Sequence, residues 1–288
     1  MVKKTAALAF RNFKRKVWGG HQPDFLIVGA QKSGTTSLFS YLQEREGFLG
    51  SLPKEVHFFD REDNYKKGFG WYESHFIKPP GKNGLHYEAS PTYLFRPKVP
   101  ERLYEYNPTL KIIILLREPI SRAYSAWNMY RQWSEEGFVP WAIQNDPYGR
   151  KESRIYQVFF KNGCPSFSDY INIEMDLINE GDAEDEPTLL RRGIYKPQIE
   201  RYIDAFGSKR VLVLGFNELK TAPETVLKKC YDFLGVPCSE LSKTPPGEIK
   251  NKRTYPSNIS PEDLKTLQEW YAPANDDLFN YLGYRPDW

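Results

Sequence analysis

One segment near the start of the chain constrains the fold more than any other. The run Phe25 to Val28 is short and continuously apolar and ends at Gly29, as expected for a parallel strand buried on both faces. A loop of small residues, 30–36, follows, and a helical pattern with apolar residues on one side begins near Thr36. A strand, a glycine-containing loop and a helix in this order predict an α/β fold.

Two later segments repeat this order. Residues 111–116 form the clearest buried strand, and Pro119 follows where a helix can begin without losing a hydrogen bond. Residues 210–214 predict a third strand, followed by a helix from Pro223 to a stop at Gly235. Alternation of strands and helices predicts a single α/β domain with a central parallel sheet flanked by helices and a P-loop-like strand–loop–helix.

Two regions between these elements predict loops. Residues 134–165 are rich in aromatic, glycine, proline and polar residues, and their weak periodicity predicts an irregular surface excursion suited to binding an acceptor. Residues 242–258 predict a basic loop, and residues 261–283 predict a helix.

Composition and charge limit the partners and the compartment. The 288 residues are 40% apolar, so the chain can bury a sizeable core, and we assign residues 21–288 to one domain. A net charge of +3 gives no reason to expect nucleic-acid binding. Three cysteines at unrelated spacings match neither a disulfide framework nor a zinc site, which predicts a reducing, cytoplasmic location.

The N-terminal segment, residues 1–20, is basic. It contains six lysine or arginine residues and no acidic residue. Residues 3–18 fit either an amphipathic helix on a membrane surface or a solvated tail, and the sequence leaves both open.

The loop after the first strand has the composition of an anion site. Free amides at a helix N-terminus, together with the helix dipole, attract negative charge. Gly29 and Gly34 have the spacing of P-loop glycines, but the lysine is Lys32, inside the loop. A magnesium-dependent kinase would need a lysine after Gly34 and an acidic residue at a neighbouring strand end, where this chain has Arg117. We therefore predict anion binding without a metal and keep the P-loop kinase as an alternative.

These residues resemble a known family. Residues 31–38, Gln-Lys-Ser-Gly-Thr-Thr-Ser-Leu, resemble the loop that binds the 5′-phosphosulfate in sulfotransferases that use 3′-phosphoadenosine 5′-phosphosulfate (PAPS). The sequence Arg117-Glu118-Pro119, with Arg122 and Ser125, resembles the 3′-phosphate motif of that family. Residues 55–60, Glu-Val-His-Phe-Phe-Asp, and residues 97–102, Pro-Lys-Val-Pro-Glu-Arg, are similar to the heparan sulfate N- and 3-O-sulfotransferase branch and its bacterial relatives.

The resemblance implies a donor site for PAPS, with adenosine 3′,5′-bisphosphate as the product. The chemistry of the residues agrees, because Lys32 offers a positive charge to a leaving phosphate and Arg117 offers a fork of donors to a second phosphate. In the C-terminal loop Lys252 stands where the family has a glycine. The predicted donor-binding residues are Lys32, Ser33, Gly34, Thr35, Thr36, Ser37, Arg117, Ser125, Lys250, Lys252 and Arg253.

The resemblance nominates Glu55 as the general base. His57 is the second catalytic candidate, because residues 55 and 57 share a face if their segment is extended. A half-buried histidine packed by Phe58 and Phe59 explains His57 better than catalysis does. Lys54 is suited to hold Glu55 ionised or to bind an anionic acceptor.

The predicted reaction is transfer of the sulfuryl group from PAPS to a hydroxyl or amine of a carbohydrate-like or glycolipid acceptor. Residues 88–91, Glu-Ala-Ser-Pro, replace a segment that carries a lysine in the 3-O-sulfotransferases, and this argues against a heparan-like polyanion. A small-molecule secondary metabolite is the alternative acceptor. A non-catalytic module that binds sulfated or phosphorylated ligands is the alternative outside enzymes.

Overall fold

The computed structural model describes residues 20–77, 83–139, 153–181, 187–237, 258–286 and 288. The basic segment 1–19, residues 140–152 of the predicted acceptor-binding excursion, and the predicted basic loop up to residue 257 lie outside these ranges. Lys250, Lys252 and Arg253 are therefore predictions that the structure leaves without a location.

The centre of the fold is a five-stranded, all-parallel sheet. The strands lie in the order β2-β3-β1-β4-β5, and all four neighbouring pairs are parallel. Phe25 of β1 pairs with Tyr87 of β3 on one side and with Lys111 of β4 on the other. This confirms the predicted α/β class with a central parallel sheet. The strands are β1 (Phe25–Gly29), β2 (Phe48–Gly50), β3 (Leu85–Ala89), β4 (Lys111–Leu116) and β5 (Val211–Gly215).

Helices connect and follow these strands. Several begin at favourable residues: Pro119, Pro223 and Pro261 each occupy the first turn of a helix, where a missing amide hydrogen costs little. The α-helices in the described ranges are α1 (Thr35–Gln43), α2 (Glu62–Tyr65), α3 (Phe69–Glu73), α4 (Val99–Tyr106), α5 (Pro119–Glu135), α6 (Arg154–Phe159), α7 (Phe167–Asn179), α8 (Lys196–Phe206), α9 (Phe216–Thr221), α10 (Pro223–Leu234) and α11 (Pro261–Leu282).

The chain divides into two compact units. The first comprises Met1–Arg117, Pro197–Lys252 and Pro286–Trp288, and the second comprises Glu118–Lys196 and Arg253–Arg285. The core of the first unit joins sheet residues with Leu38 of α1 and Leu227 of α10. The core of the second unit is built mainly from aromatic side chains of α5, α7 and α11, among them Trp127, Phe167 and Tyr271. Each unit thus buries apolar surface of its own.

The predicted strands and helices match the structure with small shifts. The third predicted strand begins at Val211, one residue later than expected, and ends at Gly215. The irregular excursion predicted over 134–165 is wrong in part, because α6 lies within it and buries Ile155 and Phe159. A six-residue helix with two buried residues is too short for a helical period to be recognised in the sequence. Across the described ranges, no helix combines the length and apolarity needed to cross a membrane.

Candidate active site

The carboxyl edge of the sheet gathers most of the predicted site residues. Because all five strands are parallel, the segments that follow them meet at one edge. The loop 30–34 follows β1, Arg117 follows β4, Phe216 follows β5, and the segment 51–61 with Glu55 and His57 follows β2. The connections diverge at β1, whose neighbours are β3 on one side and β4 on the other, and ligands of open α/β sheets bind at such a point.

The backbone of the loop after β1 turns sharply into α1. Lys32 has a φ of 69° and Gly34 a φ of 86°, both in the left-handed region. Two features exclude a side chain at Gly34. One is its left-handed φ, and the other is the ring of Phe216, which would lie 2.9 Å from an added Cβ. Phe216, the first residue after β5, therefore fixes the path of the loop. No sequence motif points to Phe216, and its place at a strand end is the one signal available for it.

The loop presents several donors that fit an anion. Gly34 caps α1 without a side-chain hydrogen bond, and the amides of the first turn have no acceptor within the helix. The hydroxyl oxygen of Ser33 is buried and has no hydrogen-bond partner among the residues that the structure describes. Thr35 and Ser37 are also buried, whereas Lys32 and Thr36 are half-buried. This donor set fits a phosphate or sulfate group.

Arg117 lies against the same loop. Its Nη1 donates to the carbonyl oxygen of Lys32 at 3.1 Å, and its guanidinium carbon lies 4.8 Å from the centre of the Phe216 ring. A planar cation stacked on a ring is restricted in orientation. The structure thus brings together Lys32 and Arg117, two of the cations predicted to contact the donor.

Glu55 belongs to a line of four charged side chains. Its Oε1 lies 2.6 Å from Lys54 Nζ, and its Oε2 lies 3.4 Å from His57 Nε2. His57 Nδ1 lies in turn 2.9 Å from Asp60 Oδ2. The Glu55 side chain is 42% exposed and the Asp60 side chain 3% exposed, so the line runs from the surface into the protein.

These contacts shift the pKa values of both candidate bases. Burial alone would raise the pKa of Glu55, but the hydrogen bond from His57 and the charge of Lys54 outweigh it and lower the pKa to about 2. Burial alone would lower the pKa of His57, but hydrogen bonds to Asp60 and Glu55 outweigh it and raise the pKa to about 9. At neutral pH Glu55 is therefore an anion and His57 a cation.

The backbone of residues 55–57 is not extended throughout, because His57 lies in the left-handed region. The prediction that residues 55 and 57 share a face through an extended backbone is wrong in its premise, because His57 has a φ of 53°. The left-handed region costs a non-glycine residue on the order of 1–3 kcal/mol and persists where surrounding contacts impose it. One such contact is the hydrogen bond from Asn64 Nδ2 to the carbonyl oxygen of His57 at 2.8 Å. The two side chains meet even so.

Ser125 lies in the second compact unit. It is a buried residue of α5, next to the buried Arg122 on the same helix. Its assignment to the donor site rests on the sequence motif alone.

Comparisons with known proteins identify the family to which the chain belongs. A family model described as a sulfotransferase domain matches residues 22–260. The chain is 30% identical over 226 residues to the bifunctional heparan sulfate N-deacetylase/N-sulfotransferase 4 of Mus musculus, which covers 75% of this chain but only 22% of that protein. It is 27% identical over 292 residues to the heparan sulfate glucosamine 3-O-sulfotransferase 5 of Homo sapiens, covering 92% of this chain and 74% of that one.

A solved structure extends the similarity to three dimensions. The sulfotransferase from Alicyclobacillus acidocaldarius superposes with a TM-score of 0.63 and 26% identity, covering 92% of this chain and 97% of that chain. The resemblance inferred from residues 31–38, 55–60 and 117–125 is thereby confirmed.

Proposed function

Because the chain belongs to the sulfotransferase family, and is thus an enzyme of sulfuryl transfer, we propose that it uses PAPS to sulfate a hydroxyl or amine of a carbohydrate-like or glycolipid acceptor. The observation that carries this proposal is the pairing of Glu55 with Lys54 and His57 at the sheet edge that also holds the anion-binding loop. The P-loop kinase alternative is set aside by the family membership.

The donor would be held by two groups of residues. The loop amides and the hydroxyls of Ser33, Thr35, Thr36 and Ser37 suit the 5′-phosphosulfate, and the guanidinium of Arg117 suits the 3′-phosphate. PAPS supplies the activated sulfuryl group. Lys32 supplies a fixed positive charge that stabilises negative charge on the leaving phosphate. Ser125, Lys250, Lys252 and Arg253 remain donor-binding residues by resemblance.

Glu55 is the group suited to take the proton of the acceptor. It is ionised at neutral pH, whereas His57 already carries a proton and has no basic site to offer. A carboxylate of low pKa is a weak base, but it suffices if sulfuryl transfer resembles phosphoryl transfer, in which the nucleophile takes little part until late in a loose transition state. His57 and Lys54 then hold the carboxylate in place.

The acceptor is proposed from the relatives. Those with 27–30% identity are named for heparan sulfate, which supports a carbohydrate-type acceptor. Ala89 is a buried residue of β3 and adds no charge to this edge, so we expect an acceptor less anionic than heparan sulfate. A small-molecule secondary metabolite remains the second candidate.

Calorimetric titration tests the donor. We expect tight binding of adenosine 3′,5′-bisphosphate without metal and much weaker binding of ATP with Mg²⁺. Indifference to the bisphosphate together with metal-dependent ATP binding would refute the donor assignment. A screen of sugar, glycolipid and small-molecule acceptors with PAPS then separates the acceptor classes.

Transfer assays test the base. Glu55→Gln should nearly abolish transfer and leave bisphosphate binding intact. Glu62→Gln is the matched control, since Glu62 is an exposed carboxylate nearby that pairs with Arg102. If His57→Ala abolishes transfer and Glu55→Gln does not, the base is His57.

The N-terminal segment is proposed to act outside the chemistry. A cytoplasmic enzyme with peripheral membrane contact through residues 3–18 should keep its turnover on a soluble acceptor when residues 1–18 are deleted. If the deletion abolishes binding to anionic lipid vesicles, the membrane contact is supported. If the deletion lowers turnover on a soluble acceptor, residues 1–18 are needed for catalysis and the proposal is refuted.

A further inference from the structure

The segment that carries Glu55 lacks the usual partners for its backbone. Residues 51–61 form neither helix nor strand, so their buried amides need acceptors from elsewhere. Three successive amides donate to side chains of β3 and the turn after it: Val56 to Glu88 Oε1 at 3.0 Å, His57 to Ser90 Oγ at 3.3 Å, and Phe58 to Tyr93 Oη at 2.8 Å.

These three acceptors converge on one carboxylate. The hydroxyls of Ser90 and Tyr93 both donate to Glu88 Oε1, the latter at 3.0 Å, and the hydroxyl of Tyr72 donates to Oε2 at 2.7 Å. The Glu88 side chain is fully buried, so it does not contact the substrate that receives the sulfuryl group. Every amide of residues 56–58 is thus tied to Glu88, directly or through one hydroxyl.

A strong hydrogen-bond acceptor at the position of Glu88 Oε1 is what this arrangement requires. A hydroxyl has one proton and two lone pairs, so a hydroxyl that donates to Glu88 is left with its lone pairs for an amide. Glu88 therefore sets the direction of the Ser90 and Tyr93 hydroxyls as well as accepting from Val56. Without an acceptor at Oε1 both hydroxyls are released to rotate, and the amides of His57 and Phe58 lose fixed partners.

The amides concerned directly follow the proposed base. Glu55 precedes Val56, and it meets His57 Nε2 while the backbone of His57 is held in the left-handed region. We propose that Glu88 is a positioning residue for the sulfuryl transfer, which holds the backbone of residues 56–58 so that Glu55 and His57 meet. This inference rests on the proposed role of Glu55.

Two substitutions of similar size test it. Glu88→Gln keeps a carbonyl acceptor at Oε1, with its amide group facing the hydroxyl of Tyr72, whereas Glu88→Met fills the space with no strong acceptor. We expect Glu88→Met to lower kcat by about 10²-fold, as for a displaced catalytic group, with unchanged bisphosphate affinity. Glu88→Gln should restore most of the lost turnover.

A second buried carboxylate supplies the control. Glu174, in the second compact unit, is also fully buried and accepts from the amides of Leu190 and Arg191 at 2.8 and 3.0 Å. Glu174→Met should lower the melting temperature without the selective loss of kcat. An equal loss in Glu174→Met, or a parallel loss of kcat and bisphosphate affinity in Glu88→Met, would overturn the inference.

Milder variants cover the case in which Glu88→Met does not fold. Ser90→Ala and Tyr93→Phe each remove one acceptor, and each should lower kcat at unchanged bisphosphate affinity. Wild-type kcat in both would refute the positioning role while leaving Glu55→Gln inactive. An active Glu55→Gln would instead refute the proposed role of Glu55, on which this inference rests.

Discussion

Glu55 Oε2 and His57 Nε2 lie 3.4 Å apart and carry opposite charges between about pH 2 and pH 9. Each group therefore stabilises the ionised form of the other, and Asp60 supports the histidine from its far side. The pair explains why a histidine that resembles a catalytic base by position has no free basic nitrogen at neutral pH.

Removal of the imidazolium should make Glu55 a stronger base, so that it becomes protonated at a higher pH than in the wild type. In His57→Gln we expect the pKa of Glu55 to rise from about 2 towards the ordinary value of about 4.3. The acid limb of kcat, which we expect near pH 2 in the wild type, should then move towards about pH 4 and into the measurable range. A pH profile checks this, with His75→Gln as the control for loss of a buried histidine that bonds backbone carbonyls. Identical acid limbs in His57→Gln and the wild type would contradict it.

The same pair makes stability depend on pH. The raised pKa of His57 means that its contribution is fully present below about pH 6.5 and is lost as the pH rises through about 9. Glu55 behaves in the opposite sense, with a contribution present above about pH 4.3 and lost as the pH falls through about 2. The free energy of unfolding, measured with urea, should differ between wild type and His57→Gln by an amount that decreases from pH 6.5 to pH 10. A difference that stays constant would mean that His57 does not titrate in this range.

Gly34→Ala should damage the loop through both its φ and its contact. The φ of 86° and the distance of 2.9 Å from Phe216 predict a loss of roughly 1–3 kcal/mol and weaker bisphosphate binding. Gly235→Ala is a matched control, because Gly235 has a φ of 78° and a ψ of 28°, close to the 86° and 14° of Gly34, with nothing within 4 Å of an added Cβ. Chemical denaturation of both variants separates the two costs, and equal losses would show that the Phe216 contact is irrelevant.

Arg117→Ala should weaken donor binding selectively. Loss of charge-assisted hydrogen bonds worth about 1.5–3 kcal/mol predicts a fall of about 10- to 100-fold in bisphosphate affinity. Lys111→Ala is the control, since Lys111 begins the strand that Arg117 follows and donates to the carbonyl oxygen of Phe233. Titration calorimetry measures both, and an unchanged affinity in Arg117→Ala would remove this residue from the donor site.

Lys32→Ala should lower turnover far more than it weakens nucleotide binding. A loss of about 10²-fold in kcat is expected for removal of a group that stabilises developing charge. Lys32→Gly removes the same charge but tolerates the φ of 69°, so it should be equally inactive and more stable than Lys32→Ala. Single-turnover kinetics on both variants checks this, and unchanged turnover would exclude Lys32 from the chemistry.

The parts of the fold that the sequence predicts are those whose signal lies in consecutive residues. The apolar runs of β1 and β4 and the loop up to Gly34 each contain their own signal. The strand β2 has three residues, too few for a periodic pattern, and β3 contains Glu88, which in a sequence looks like a solvent-facing residue. Two of its partners, Tyr72 and Val56, lie 16 and 32 positions away, and no local pattern encodes such contacts.

The same distinction applies to the site. Lys32 and Arg117 were predicted because each belongs to a short motif next to a strand. Phe216 and Glu88 act through contacts with residues far away in the chain, and Asp60 was noticed only as the end of a motif, although it fixes the charge of His57. The expected extended backbone at residues 55–57 failed because side chains, and not a neighbouring strand, satisfy its amides.

The dependence of residues 56–58 on β3 has a consequence for protein engineering. Transplanting the segment 51–61 into another parallel-sheet scaffold would carry the reactive carboxylate without the groups that shape its backbone. A transferable unit must contain at least the two segments 51–61 and 87–93, because the first carries the side chains and the second accepts the hydrogen bonds of its backbone. Laboratory recombination of related enzymes should therefore yield active chimaeras when its crossover points keep these two segments from the same parent.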